Sequence, residues 1–435
     1  MRPQLPGAPH RAAASPSGAG ATLSALRNPQ YRWLFASNMA FFFAMQGQML
    51  IRLLLVWEIT DNKAALGYTS FMVAVPMVLI APFGGVIADR MDRRNLILAG
   101  QGFLAFNETI LLGLLLTGSL QFWHLLVAAF LMGCTFPIIM PARMAIVVQI
   151  VGRSELGNAI ALTSGGMNAM RVVAPAAAGF LVAPLGIPGV YSVGVALYIV
   201  AFLCMFAVDR RKPARLGVTE SLMDDVREGV RYMSAHRTVM ILMVFGLLPM
   251  FLAMPFQTLL VVFADEVWQV GERGFGVLQG AAGMGGVIGS WLIARRGEKP
   301  ARLRLMMVSV VLFAVFLLLF ASSPGFEMAL PLILAANVFA GMFQILNNTA
   351  IQLLVPEDVR GRISGFMMMS FGLTPLGTLP MAMLAQSIGA PAGVAAGATL
   401  VLAGAIIWYL SSPVLRGVDA ALLEAGRPRE AAAGG

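Results

Sequence analysis

Charge is scarce in this chain: Asp, Glu, Lys and Arg together supply 12% of its 435 residues, while hydrophobic residues supply 58%. A soluble domain runs at about 25% charged, so most of the chain has no need of water. No polar stretch is long enough for a separate soluble domain. Histidine is scarcer still, with His10 in the N-terminal tail and His124 and His236 near the ends of apolar runs. Neither H-E-x-x-H nor G-x-S-x-G occurs, which argues against an intramembrane enzyme. The G-x-x-x-x-G-K-[ST] phosphate loop is also missing, which disfavours a pump driven by its own nucleotide hydrolysis. No metal site and no cofactor are expected. The two cysteines, Cys134 and Cys204, lie inside apolar runs and read as small packing residues, not a disulfide. The Ala/Pro/Ser/Gly-rich tail up to about Arg27 lacks the contiguous apolar core of a signal peptide. The tail after Pro413 reads the same way.

What is abundant is hydrocarbon. A bilayer core takes roughly 20 apolar residues per helix, and about twelve such runs account for nearly the whole length. They fall near 33–57, 66–88, 96–118, 122–148, 157–183, 189–208, 239–263, 275–294, 303–321, 328–355, 363–388 and 394–410. Trp33, Trp57, Trp123, Trp268 and Trp408 stand near the ends of these runs, as an aromatic belt requires.

The formal net charge is +9, and its placement matters more than its size. With the N-terminus on one side and the runs alternating, all but four of the 30 Lys and Arg fall in segments on that same side. The exceptions are Lys63 and Arg273, on the other side, and Arg52 and Arg171, within runs. This sidedness is the positive-inside pattern of a multi-pass protein with both termini in the cytoplasm. A nucleic-acid-binding surface would instead gather its charge into one patch, so nucleic acid is not an expected partner; the lipid bilayer is.

The longest polar stretch divides the chain into two groups of six runs. Its DDVREGVRYM segment carries Val226, Val230 and Met233 on one helical face and predicts a helix lying along the inner membrane surface. The organisation expected is a disordered cytoplasmic tail over 1–29, a six-helix half over 30–208, a linker over 209–238, a second half over 239–412 and a disordered tail over 413–435. Weak repeats support a duplication: Ile87-Ala88-Asp89-Arg90 returns as Ile293-Ala294-Arg295-Arg296, and Val151…Gly157 is echoed by Val355…Gly361, on matching loops. Such a duplication places a cavity at the interface between the halves.

The loop after the second run reads Gly84-Gly85-Val86-Ile87-Ala88-Asp89-Arg90-Met91-Asp92-Arg93-Arg94. It resembles the G-x-x-x-D-R-x-x-R-R motif of the major facilitator superfamily. A second stretch, from Pro141-Ala142-Arg143 through Val151-Gly152-Arg153, Asn158-Ala159-Ile160-Ala161-Leu162, Asn168 and Arg171 to Pro175 and Gly179, is similar to the branch of enterobactin exporters and macrolide efflux proteins. Arg52 to Thr60 resembles that branch too. Ala174 stands where the family's fifth-span motif has glycine, and Asp92 where its loop motif more commonly has glycine. The resemblance implies an all-α membrane protein with the major facilitator fold, about twelve transmembrane helices in two pseudo-symmetric six-helix halves. It also implies a secondary active transporter in the bacterial inner membrane, exporting a small amphipathic compound by alternating access with proton antiport. A proton-coupled importer is the nearest alternative, and a non-transporting receptor or scaffold the alternative of another class. A monomer is expected. The resemblance assigns Gly85, Asp89, Arg90, Arg93 and Arg94 to a conformational latch, with Asp89 near Gly361–Arg362. Arg295 stands where the second half would need the acid, so the latch is asymmetric.

Charges at membrane depth cost at least about 2.5–3.5 kcal/mol each, so each asks for a reason. Glu108, beside Asn107 in the third run, reads either as a proton carrier or as half of a fixed Glu–Arg pair. Arg171, mid-run in the fifth, reads as a ligand for an anionic part of a substrate or as a tie within the bundle. Arg52 lies within snorkelling reach of the surface and reads as an interfacial anchor or a helix-pairing residue. Gln46, Gln48, Asn168, Gln257, Gln344, Asn347 and Asn348 need partners in lipid and are candidates for lining a central cavity. Met367-Met368-Met369 reads as ordinary packing or as a pliable wall. Pro249, Pro255, Pro375 and Pro380 mark helices that bend.

Overall fold

The helices begin where short polar side chains can hold free backbone N–H groups. Asn28 accepts from the N–H groups of Gln30 and Tyr31 at 3.0 and 3.4 Å, with Pro29 at the first helical position. Asn62 accepts from Ala64 at 2.8 Å and Asp92 from Asn95 at 2.8 Å. Asp92, the departure from the loop motif, is therefore the cap of the third helix.

The computed structural model describes residues 24–210, 231–296 and 302–418. The outer parts of both tails and most of the segment predicted as an amphipathic surface helix lie outside the described residues. So do the side chains of Asp89, Arg153, Arg360 and Arg362. Among the described residues all regular structure is helical. We number the spans α1 (Pro29–Thr60), α2 (Lys63–Arg90) and α3 (Arg93–Leu116), followed by one helical stretch, Phe122–Phe206. That stretch is broken at Gly152 (φ 69°) and Gly186 (φ 66°), a backbone region that glycine enters without a Cβ penalty. The breaks divide it into α4 (122–151), α5 (153–185) and α6 (187–206). The second half contains α7 (Arg237–Val267), α8 (Gly271–Arg296), α9 (Arg302–Ala321), α10 (Phe326–Leu354), α11 (Glu357–Ile388) and α12 (Ala390–Ser411).

Ten helical stretches among the described residues are long and apolar enough to cross a membrane. One of them, Glu155–Phe206, is two spans because Gly186 cuts it, and the 32-residue α11 adds the twelfth. α7 is interrupted between Leu252 and Phe256, next to Pro249 and Pro255, and ends in a π-helical turn over Phe263–Val267.

The halves meet along two helix pairs, α2 with α11 and α5 with α8. Counting six spans on from α2 gives α8, and from α5 gives α11, so the two contacts are copies of one packing arrangement. Small residues make it possible. Gly179 of α5 and Gly276 of α8 lie so close that a Cβ on either would collide with the other's backbone. Gly67 of α2 packs on Leu379 and Ala382 of α11, where an added Cβ would stand 3.0 and 2.9 Å from their atoms. These contacts lie toward one face of the protein, away from the face carrying Arg90, Arg93, Arg94, Arg295 and Arg296, which we call the basic face. On the opposite face a single buried apolar cluster runs from Leu50–Trp57 of α1 to Phe256–Ala264 of α7 and joins the halves. On the basic face the first half keeps an apolar cluster of its own, from Tyr31 and Leu34 to Ile146 and Tyr198.

Gly179→Val puts a branched side chain into that backbone contact, an overpacking that costs about 1–3 kcal/mol. The expected outcome is faster labelling of a cysteine placed at Ala382 by an impermeant thiol reagent added on the opposite face. Gly165→Val, on the same helix where a Cβ meets nothing within 4 Å, is expected to leave the labelling rate unchanged.

Candidate functional site

A stripe of α5 residues defines the gap between the halves. Gly179, Ala176 and Val172 touch Gly276, Gly280 and Gly283 of α8 in turn; a Cβ on Gly280 would lie 3.1 Å from Ala176, and one on Gly283 3.1 Å from Val172. The same stripe continues toward the basic face as Asn168, Gly165 and Ala161, all exposed. On α8 the continuation, Val287 and Trp291, is 46% and 52% exposed. The two helices are in contact at one end and apart at the other, so the cleft is closed on the opposite face and open on the basic face.

Within the first half, a half-open cavity of about 410 Å³ lies between α4 and α5, lined by Pro141, Met144 and Val148 from α4 and by Ile160, Thr163 and Ser164 from α5. Asn168 and Arg171 lie above it on α5. Both are exposed, and neither has a hydrogen-bond or ion-pair partner among the described residues.

Arg52 and Glu108 form a buried pair at 2.5 Å, 5% and 1% exposed. Tyr191 of α6 donates its hydroxyl to the second carboxylate oxygen, and Asn107 donates to the first at 3.4 Å. Arg52 also reaches Met132 Sδ of α4 at 3.5 Å. The cluster ties α1, α3, α4 and α6 together. Arg52 therefore points into the bundle, not toward the surface, and Glu108 has no path to the cleft among these contacts.

A second buried cation, Arg143 of α4, is 1% exposed. It donates to Asn38 Oδ1 of α1, its guanidinium carbon stands 4.0 Å from the ring centroid of Phe41, and two of its nitrogens have no hydrogen-bond partner. Arg143 lies inside the fourth apolar run, 122–148, and is thus a charge at membrane depth and not one of the loop charges; its position in that run is the sequence signal for it.

The remaining polar candidates separate by side. Gln48 is buried and donates to Tyr191 O at 3.2 Å, which places it between α1 and α6. Asn347 is buried against Gly246 of α7. Gln344 donates to Asn348 at 3.1 Å along α10, and Gln257 approaches Met254 Sδ at 3.9 Å. Gln46, Gln257, Gln344 and Asn348 are half-buried. In the segment that the resemblance assigns to a latch, Arg93 donates to Ala145 O at 3.3 Å and Arg94 to Phe206 O at 2.9 Å, both within the first half. Arg90 is exposed, Gly85 lies in the last turns of α2, and the Asp89 and Arg362 side chains are outside the described residues.

On the opposite face, polar contacts cross between the halves, joining Trp57 and Lys63 to Asp265, Glu266 and Gln386, which the sequence did not single out. Trp57 Nε1 donates to Asp265 at 2.8 Å, Lys63 Nζ meets Glu266 at 2.8 Å, and the Lys63 N–H donates to Gln386 at 2.8 Å. Asp265 and Glu266 are both presented by the π-turn that ends α7.

Glu108→Gln leaves Arg52 buried without a counter-charge, and breaking such a pair costs about 3–5 kcal/mol. The expected outcome is a clear fall in the melting temperature of the purified protein in detergent. Replacing both members, Arg52→Met with Glu108→Leu, is expected to recover most of it.

Comparison with known proteins agrees with this geometry. The family model described as transmembrane secretion effector matches residues 20–428. The staphyloferrin A transporter of Staphylococcus aureus is 24% identical over 75% of this chain and 82% of its own length. Macrolide efflux protein A of Streptococcus pyogenes is 21% identical over 80% of this chain and 88% of its own. The enterobactin exporter of Shigella boydii is 27% identical over 65% and 67%. Among solved structures, a bacterial homologue of the human lysosomal transporter Spinster, in an inward-facing and unoccupied conformation, superposes with a TM-score of 0.67 at 13% identity, covering 93% of this chain and 99% of that one. The nucleoside transporter NupG superposes with a TM-score of 0.65 at 14% identity, covering 92% and 100%. Twelve spans in two halves around a one-sided cleft, with a family match over nearly the full length, place this chain in the transmembrane secretion effector family of the major facilitator superfamily.

Proposed function

We propose that this protein is a secondary transporter that exports a small amphipathic compound by alternating access, with protons moving the other way. The observation that carries the reading is the cleft between the halves, open on the basic face and sealed on the other. The positive-inside rule supports a cytoplasmic basic face and, with it, cytoplasmic termini; the enterobactin exporter among the relatives supports a bacterial inner membrane. A cleft open to the cytoplasm is where an exporter loads and where an importer unloads; the relatives named for macrolide efflux and enterobactin export support loading. The relatives named for staphyloferrin A, macrolide efflux and enterobactin support a small organic cargo.

Export requires the seal to open. Its polar part is weak by construction: Glu266 is 41% exposed at its side chain, and a pair of this kind contributes about 0–1 kcal/mol. Contacts of that size are made and broken on each cycle without trapping either state. The contacts of Asp265 with Trp57 and of Glu266 with Lys63 have to part before the opposite face opens. Glu108, paired with Arg52 and held by Tyr191 inside the first half, fits a structural tie better than a proton carrier. Gly85, Asp89, Arg90, Arg93 and Arg94 act in the other state, as the latch that closes the basic face.

Cells carrying the gene are expected to accumulate less labelled siderophore, macrolide or metabolite than cells without it, for at least one compound; equal accumulation across the series counts against export. Asp265→Asn with Glu266→Gln is expected to loosen the seal, read as faster labelling of a cysteine placed at Ala382 by an impermeant reagent added on the opposite face. An unchanged labelling rate removes these contacts from the seal.

A further inference from the structure

We infer that the cargo is an amphipathic organic anion bound along α5, its acidic group at Arg171 and its apolar body in the cavity between α4 and α5. This rests on the transporter reading above and names the class of compound that its cleft takes.

The residues Ile160, Ser164, Asn168 and Arg171 follow one another at spacings of four, four and three, which puts them on one face of α5. All four are exposed. That face is not turned to lipid. The lipid-facing side of α5 carries Val173 and Phe180, 48% and 50% exposed, and by helical geometry it lies on the other side of the axis from Arg171. Between the two, the contact stripe faces α8. The Arg171 stripe therefore looks into the cleft.

Arg171 is distinguished from the other cations at membrane depth by its lack of a partner. Arg52 has Glu108, and Arg143 has Asn38 and the Phe41 ring. Arg171 has neither an acid nor a carbonyl within bonding range among the described residues. The α8 residues exposed beyond the contact stripe, Met284, Val287 and Trp291, include no acid. A guanidinium held at that depth beside apolar walls is matched by a planar anion, which it grips with two parallel N–H donors. Seven residues separate Ser164, at the cavity, from Arg171, about 10 Å along the axis. Cα–Cβ bonds on a helix tilt toward its N-terminus, which brings the guanidinium back toward the cavity. The ligand class is thus a carboxylate or similar anion spaced up to about 10 Å from an apolar body that fills a cavity of about 410 Å³.

The test uses 6-(dansylamino)hexanoic acid and its primary amide, two probes of one skeleton that differ in charge, titrated by fluorescence against the full-length protein in lipid nanodiscs. The wild type is expected to bind the acid at least about tenfold more tightly than the amide, the range of a charge-assisted hydrogen bond. Arg171→Gln is expected to abolish the preference while leaving amide affinity unchanged, which also shows that the variant is folded. Arg171→Lys is expected to keep part of it. Ser164→Trp, which fills the cavity, is expected to weaken both probes. Equal binding of acid and amide by the wild type, or an unchanged ratio in Arg171→Gln, overturns the proposal even if export in cells is confirmed. Preferential binding of the acid that depends on Arg171, in a protein that moves no compound in cells, leaves the site standing and removes the export reading.

Discussion

Everything in this fold turns on backbone-to-backbone approach between helices of different halves. Lipid offers no hydrophobic drive for helices to associate, so close packing of small residues has to supply it. Gly179 against Gly276, and Gly67 against Leu379 and Ala382, provide such contacts, and they do so at one end of each helix pair. Because the pairs are anchored at one end, the other end is free to part. The cleft is the geometric result, and its depth is set by where on α5 the small residues give way to exposed ones, between Val172 and Asn168.

Buried charge is used for a different purpose. In the first half, Arg52, Glu108, Tyr191 and Asn107 form one cluster and Arg143, Asn38 and Phe41 another. Neither spans the two halves. An ion pair removed from water contributes little net stability but is costly to break, so such clusters fix which helices are neighbours. The contacts between halves are exposed or apolar, and correspondingly cheap to exchange. Strong ties lie inside the moving body and weak ones at its boundary.

Much of this was legible in the sequence, and the gaps have physical causes. The run predicted over 33–57 is the core of α1, Pro29–Thr60, and the run over 363–388 the core of α11, Glu357–Ile388; helices extend past the hydrocarbon, where hydropathy no longer marks them. The breaks at Gly152 and Gly186 fall between predicted runs, because a positive φ at a single residue is enough to separate two spans. The Arg52–Glu108 pair joins residues 56 positions apart; the charges stood out, but their pairing depends on tertiary structure. Gln46 and Gln48 look alike in sequence, yet only Gln48 is sealed between helices, since α1 is apolar on every side and its pattern does not fix its rotation. Trp57, Lys63, Asp265 and Glu266 look like ordinary residues at the ends of spans. Their connection across the halves became visible only with the fold.

The connectors add a mechanical consequence. α1 and α2 are separated by Asp61 and Asn62, α2 and α3 by Met91 and Asp92, and α4, α5 and α6 by one glycine each. Joints this short keep neighbouring helix ends together, and the buried Arg52–Glu108–Tyr191 cluster holds α1, α3 and α6 as one body. The first half thus behaves as a lever with little internal give, whereas α6 and α7 are separated by the stretch between Phe206 and Arg237. Displacement of any one wall of such a lever is delivered to the seam between the levers and not absorbed within either.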